Sequence, residues 1–268
     1  MSPTPARLPR KSDAQRARAM EIHDALVERH PDARCELDHT SPHELLVATI
    51  LSAQATDVGV NKATPGLFAA YPTPEALAAA GPEGIEPHVR TLNFFRNKAR
   101  AIAESMRSVV ERHGGEVPRT MEELLELRGV ARKTANVVLG NAFGINLGVV
   151  VDTHVGRLSK RFGLTRHDEP LKVERDLMAL FPQEHWTMLS HLLIFHGRRV
   201  CKARGGACAE DAICRRFCRN AAAAAKDSAR NASRKDARKT ARKTARKTAR
   251  KTARKTATRA SRRTRAAR

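Results

Sequence analysis

The sequence predicts an all-α fold built from short helices, followed by a basic C-terminal tail. Three observations carry this. Capping signals recur along the chain, each ahead of apolar residues at helical spacing. The only β-like run, Val149-Val150-Val151, is too short to found a sheet. Aromatic residues make up 4% of the chain, few for a β-sandwich or barrel.

The elements follow in order. Residues 1–17 hold three prolines and scattered charge and read as a disordered N-terminus. Ala19, Ile22, Leu26 and Val27 then keep helical spacing until His30-Pro31 ends the pattern. In Ser41-Pro42-His43-Glu44, Ser41 caps, Pro42 suits the first turn and Glu44 completes a capping box. Leu45, Leu46, Val47, Ile50 and Leu51 make that helix a buried one. Thr73-Pro74-Glu75 opens another helix, which Gly81-Pro82 closes. Residues 97–111 read as a helix ended by His113-Gly114-Gly115, and Thr120 to Glu123 form a second capping box. Residues 132–143, 170–181 and 186–196 are helical by pattern.

After Cys218 the composition changes. Ala221–Ala225 is a polyalanine stretch, and Ala-Arg-Lys-Thr then repeats five times from Ala237 to Thr256. A period of four puts cations on every helical face and leaves no apolar stripe, so the tail reads as disordered when free. Residues 226–268 hold 19 Lys+Arg against 2 acidic residues, most of the chain's formal charge of +22. Such a tail is attracted to a polyanion, nucleic acid first. No apolar run is long enough to cross a membrane, and no secretory signal is expected from the N-terminus.

Cys35 stands alone, whereas Cys201, Cys208, Cys214 and Cys218 crowd into eighteen residues. In an intracellular chain that clustering reads as a metal or iron–sulfur site. The paired Cys-x2-Cys knuckles of structural zinc are absent, which leans toward iron–sulfur.

Two further motifs carry chemistry. In Leu124-Leu125-Glu126-Leu127-Arg128-Gly129-Val130-Ala131-Arg132-Lys133-Thr134-Ala135 a capped helix gives way to a glycine-containing hairpin and a second helix. The hairpin puts backbone N–H groups beside a helix N-terminus, an anion site suited to a DNA phosphate. The alternative is an ordinary corner in the core. Lys133 falls in the first turn of the second helix, where the helix dipole, Arg132 and partial burial favour the neutral, nucleophilic amine. A phosphate-contacting lysine is the competing reading. In Val150-Val151-Asp152-Thr153-His154-Val155, Asp152 is placed to orient a base, to stabilise a cationic intermediate, or to cap a helix running to Arg161.

These stretches, with Leu51-Ser52-Ala53-Gln54-Ala55-Thr56-Asp57 and His196-Gly197-Arg198 before Cys201, resemble the endonuclease III family of helix-hairpin-helix DNA glycosylase/AP lyases. The resemblance runs from about residue 18 to 219 and leaves out the tail. It implies a two-lobed α fold: a six-helix domain over 35–146, with its helix-hairpin-helix at 121–142, and an iron–sulfur domain joining 18–34 to 147–219. The tail occupies 220–268. By the same resemblance Lys133 is the catalytic lysine and Asp152 the catalytic aspartate. Gln54 fills the space left by an extruded nucleotide, Phe94 is an apolar wedge, and Gly129, Val130, Ala131, Arg132 and His154 contact DNA; Arg128, where the family commonly has proline, adds a phosphate contact of this chain's own. Cys201, Cys208, Cys214 and Cys218 hold a [4Fe–4S] cluster.

Two departures stand out. The hairpin commonly reads Pro-Gly-Val-Gly in the family, and Ala131, poorly suited to positive φ, predicts an altered turn here. Asp211 occupies the place of the third family cysteine, with Cys214 and Cys218 following. The implied activity is removal of oxidised pyrimidines from double-stranded DNA, with β-elimination 3′ to the abasic site through a lysine imine. A monomer in the bacterial cytoplasm, associated with the nucleoid, is expected, its tail on DNA phosphates. An adenine-mismatch monofunctional glycosylase and a non-catalytic nucleoid protein are the alternatives; the former lacks the lysine.

Overall fold

The computed structural model describes residues 7–204 and 207–219. The expected disordered tail and its repeats lie outside the described residues, as do residues 1–6. The chain divides after Gly206 into two units. Among the described residues every regular element is a helix, so Val149 and Val150 found no sheet.

The first unit starts earlier than the sequence pattern suggests. Helix α1 spans Asp13–Arg29, because the Ser12 hydroxyl accepts from Gln15 N–H while the Gln15 side chain accepts from Ser12 N–H. Ahead of it, Lys11 Nζ lies 2.5 Å from Asp176, whose other oxygen accepts from Thr165 Oγ1 at 2.6 Å. The carbonyl of Arg7 accepts from Arg175. Within the expected disordered stretch, residues 7–17 are therefore ordered, held by a reciprocal cap and an ion pair that composition alone does not reveal.

One core is built by α2 (Pro42–Ser52), α3 (Asp57–Ala70), α4 (Pro74–Val89), α5 (Phe95–His113), α6 (Met121–Glu126) and α7 (Arg132–Phe143). Helix α2 runs through its centre, burying Leu45 to Leu51 without a gap. Truncating one such leucine to alanine costs about 3 kcal/mol. Ser41 caps α2, but Glu44 reaches Thr40 N–H and Thr40 Oγ1 instead of closing a box on Ser41. Helix α3 escaped the sequence reading. Thr56 caps it, while Gly59, Pro65 and Gly66 within it mimic a loop. At Gly81 (φ 61°, ψ −177°) the chain kinks, and helix then resumes to Val89.

The hairpin joins α6 to α7. Gly129 takes φ 80°, and a Cβ there would lie 3.1 Å from that of Ala101 in α5. The Arg128 carbonyl accepts from Ser105 Oγ of α5 at 2.6 Å, which seats the turn on the core. Ala131 is extended (φ −100°, ψ 169°) and needs no positive φ, so the alanine leaves the turn unaltered, contrary to expectation.

A second group of helices, α1 with α8 (Thr153–Arg161), α9 (Pro170–Leu180) and α10 (Trp186–Arg199), packs together around Ile22, Leu26, Leu158, Leu177 and Leu193. Buried residues 149–150 lead from α7 to α8, and Val150 N–H donates to Ser190 Oγ of α10 at 3.0 Å. In the second unit, Asp211 caps α11 (Ala212–Phe217) by accepting from Cys214 N–H at 3.0 Å. No helix among the described residues is long and apolar enough to cross a membrane.

Candidate active site

A cavity of about 440 Å³ opens between α2, α7, α8 and α10. Lys133, Asp152, Gln54, Asn141, His191 and Arg198 line it, with Cys35 and Asp57. The two residues assigned to chemistry therefore meet in one recess. Lys133 stands in the first turn of α7, which no side chain caps. It is exposed, contrary to the partial burial expected of it. Asp152 is the N-cap of α8: its Oδ1 accepts from Val155 N–H at 2.8 Å. Capping and cavity lining are thus compatible, one carboxylate oxygen bonding the helix while the residue faces the recess.

Gln54 and Phe94 are the only non-glycine residues with positive φ among those described, at 54° and 57°. Such strain concentrates at functional positions. Asn93 Nδ2 donates to the Gln54 carbonyl at 3.4 Å, linking the two strained loops. Phe94 is 60% exposed, a large apolar ring presented to solvent at the start of α5. Gln54 lines the cavity and Phe94 does not.

The hairpin residues divide. Gly129 and Ala131 are exposed and Val130 is buried. Arg128 pairs with Glu104 at 2.6 Å, and Arg132 grips Glu174 with Nε and Nη2. His154 is not among the residues that line the cavity; its Nδ1 lies 3.2 Å from Arg157 Nη2 and against Gly197, and burial pushes its pKa down. The two arginines and His154 are thus engaged within the protein.

Sequence reasoning gave no role to Arg198, yet it joins Glu36 and Asp57 (Nη2 to Oδ2, 2.7 Å) at the cavity wall. Burial lowers the Arg198 pKa, but the two carboxylates outweigh it and raise it. His191 and Asn141 were also missed: His191 Nε2 lies 2.7 Å from Asn141 Oδ1. No local signal marks either.

The four clustered cysteines are buried. In the first unit, Cys201 Sγ accepts from Arg161 at 3.0 Å, and its N–H donates to His196 O at 2.8 Å. In the second, the sulfurs of Cys208 and Cys214 lie within 4.8 Å of each other, and Cys218 follows Cys214 by one turn, N–H to O 2.9 Å. Thiols so disposed can hold a metal.

Residues 47–183 match the HhH-GPD superfamily of base excision DNA repair proteins. An endonuclease III of Synechocystis is 54% identical over 201 residues, 75% of this chain and 92% of that one. The chain belongs to the endonuclease III family. Its fold also matches a non-covalent endonuclease III–DNA complex, with a TM-score of 0.74 and 42% identity over 79% of this chain and 98% of that one. A trapped endonuclease III–DNA covalent intermediate, an estranged-adenine complex, matches with a TM-score of 0.72 and 43% identity over 77% and 96%. The chain is thus a base-excision repair DNA glycosylase, and the all-α helix-hairpin-helix fold expected from sequence is the one observed.

Proposed function

We propose that the enzyme removes oxidised pyrimidines from double-stranded DNA and then cleaves the strand through a lysine imine. The observation that carries this is the convergence of Lys133 and Asp152 on a single cavity of about 440 Å³, room for one extruded nucleotide. Lys133 Nζ attacks C1′ of the sugar, and the base departs with the glycosidic electron pair. Asp152 accepts the proton that the lysine sheds and faces the cationic sugar. The sugar ring then opens, the C1′–O4′ bond breaking as O4′ takes up a proton and the lysine nitrogen forms the C1′ imine; the imine acidifies C2′, whose proton passes to water as the C3′–O bond breaks and the 3′ phosphate leaves. Gln54 and Phe94 occupy the gap left in the duplex and offset its lost stacking. Amides of the uncapped α7 terminus hold a backbone phosphate. The lysine at the cavity argues against the adenine-mismatch alternative.

Cys201, Cys208, Cys214 and Cys218 would hold a [4Fe–4S] cluster. Their chemistry fits: all four are buried soft donors, and Arg161 already donates to Cys201 Sγ, as a thiolate favours. When bound, the cluster supplies a covalent staple for residues 201–218. The tail adds phosphate contacts of its own, so log affinity falls with log salt by about 0.9 per contact. Such an enzyme works as a monomer on the bacterial chromosome in the cytoplasm. Lys133→Gln should bind a duplex carrying one oxidised pyrimidine while failing to cleave it. Cleavage at the wild-type rate would remove Lys133 from the mechanism.

A further inference from the structure

The inner wall of the cavity holds a polar pair that the catalytic reading leaves unused. Asn141 lies on α7 two turns beyond Lys133, about 12 Å along the axis at 1.5 Å per residue. Lys133, Val137 and Asn141 thus form one stripe, and all three line the cavity. The lysine side chain, a glycosidic bond and a pyrimidine ring together span that length.

Asn141 Nδ2 donates to the Val137 carbonyl at 2.8 Å, which fixes the amide orientation and turns Oδ1 toward His191. Oδ1 is only an acceptor, so His191 Nε2, 2.7 Å away, must carry the hydrogen. Burial lowers the His191 pKa to about 4, so the ring is neutral at physiological pH. Its Nδ1 is then a lone-pair acceptor that bonds to no other described residue. The neighbouring hydroxyls are spent as donors: Thr187 Oγ1 on Asn146 Oδ1, and Ser190 Oγ on the Trp186 carbonyl at 3.1 Å. The wall therefore seeks a donor.

We propose that His191, held in the Nε2–H tautomer by Asn141, is a specificity-determining residue whose Nδ1 accepts a hydrogen bond from the ring N3–H of the extruded base. This inference rests on the base-excision reading above and narrows its substrate class. Lesions of uracil or thymine type carry N3–H. A cytosine-type lesion presents a lone pair at N3, which meets the Nδ1 lone pair, and its amino group lies one atom further round the edge. The uracil-type lesion should be favoured about tenfold, the factor that one hydrogen bond of ordinary strength supplies.

The test uses the full chain and duplexes carrying 5-hydroxyuracil, 5-hydroxycytosine or an abasic site. Single-turnover base release is measured for wild type, His191→Leu and Asn141→Asp. The wild-type ratio of the two lesions should be about ten and should fall toward one in His191→Leu. In Asn141→Asp a carboxylate faces Nε2, favours the doubly protonated ring and turns Nδ1 into a donor, so the preference should reverse. A merely structural role for the pair would slow both lesions alike. An unchanged ratio in both variants would overturn the proposal. The abasic duplex separates the two readings: wild type that leaves it intact overturns the lyase reading, whereas abasic cleavage with a wild-type ratio near one overturns only the role of His191.

Discussion

Arg132 and Glu174, 42 residues apart, form a two-pronged ion pair: Nε lies 3.2 Å from both carboxylate oxygens and Nη2 2.9 Å from one. Asn136 Nδ2 donates to the same carboxylate at 3.2 Å. The cation beside Lys133 is thus committed to the protein, and the pair ties α7 to α9. The Glu174 side chain is only 8% exposed. Glu174→Ala should cost about 2 kcal/mol, since it strands Arg132 and Asn136. Urea denaturation of the variant reads this directly, and an unshifted midpoint would show that the pair is ornamental to the fold.

The hairpin turn is the second point of leverage. Gly129→Ala places a side chain at φ 80° and within 3.1 Å of the Ala101 Cβ. Positive φ alone costs about 1 kcal/mol. The turn should distort, and affinity for a duplex with an abasic-site analogue should fall about tenfold, read by titration. An unchanged dissociation constant would mean the turn does not hold a phosphate.

His191 predicts an acid dependence. Its pKa is about 4 in the folded protein against an ordinary value of 6.5, with burial the cause. Between those values the unfolded chain binds more protons, so stability falls as pH drops through that window, by up to about 1.4 kcal/mol per pH unit. Above the window the ring is neutral in both states and the effect vanishes. His191→Gln should flatten the fall. Parallel stability curves for variant and wild type from pH 7 to pH 4.5 would contradict this.

Cys214→Ser should lose iron and sulfide as the protein is purified, read by elemental analysis alongside wild type. Zinc in place of iron in the wild-type protein would contradict the cluster assignment.

Much of the fold was legible because capping signals are local. Ser41, Thr73 and Thr120 each open the helix that their side chains promise, and residues 132–143 form α7 as patterned. Helix α3 was hidden by its own glycines and proline, since packing around Val60 and Leu67 overrides propensity. In the site, motif context singles out Lys133 and Asp152, and both line the cavity. The Arg132–Glu174 pair and the His191–Asn141 wall were not, because each joins residues 42 or 50 apart and neither partner has a local reason to be polar there.

The central claim is that Lys133 forms a covalent bond to the sugar. Borohydride trapping on a duplex with one oxidised pyrimidine tests it most directly, with wild type and Lys133→Ala side by side. A stable protein–DNA adduct is expected with wild type alone. An adduct of equal yield from Lys133→Ala, or none from wild type while the base is still released, would contradict it.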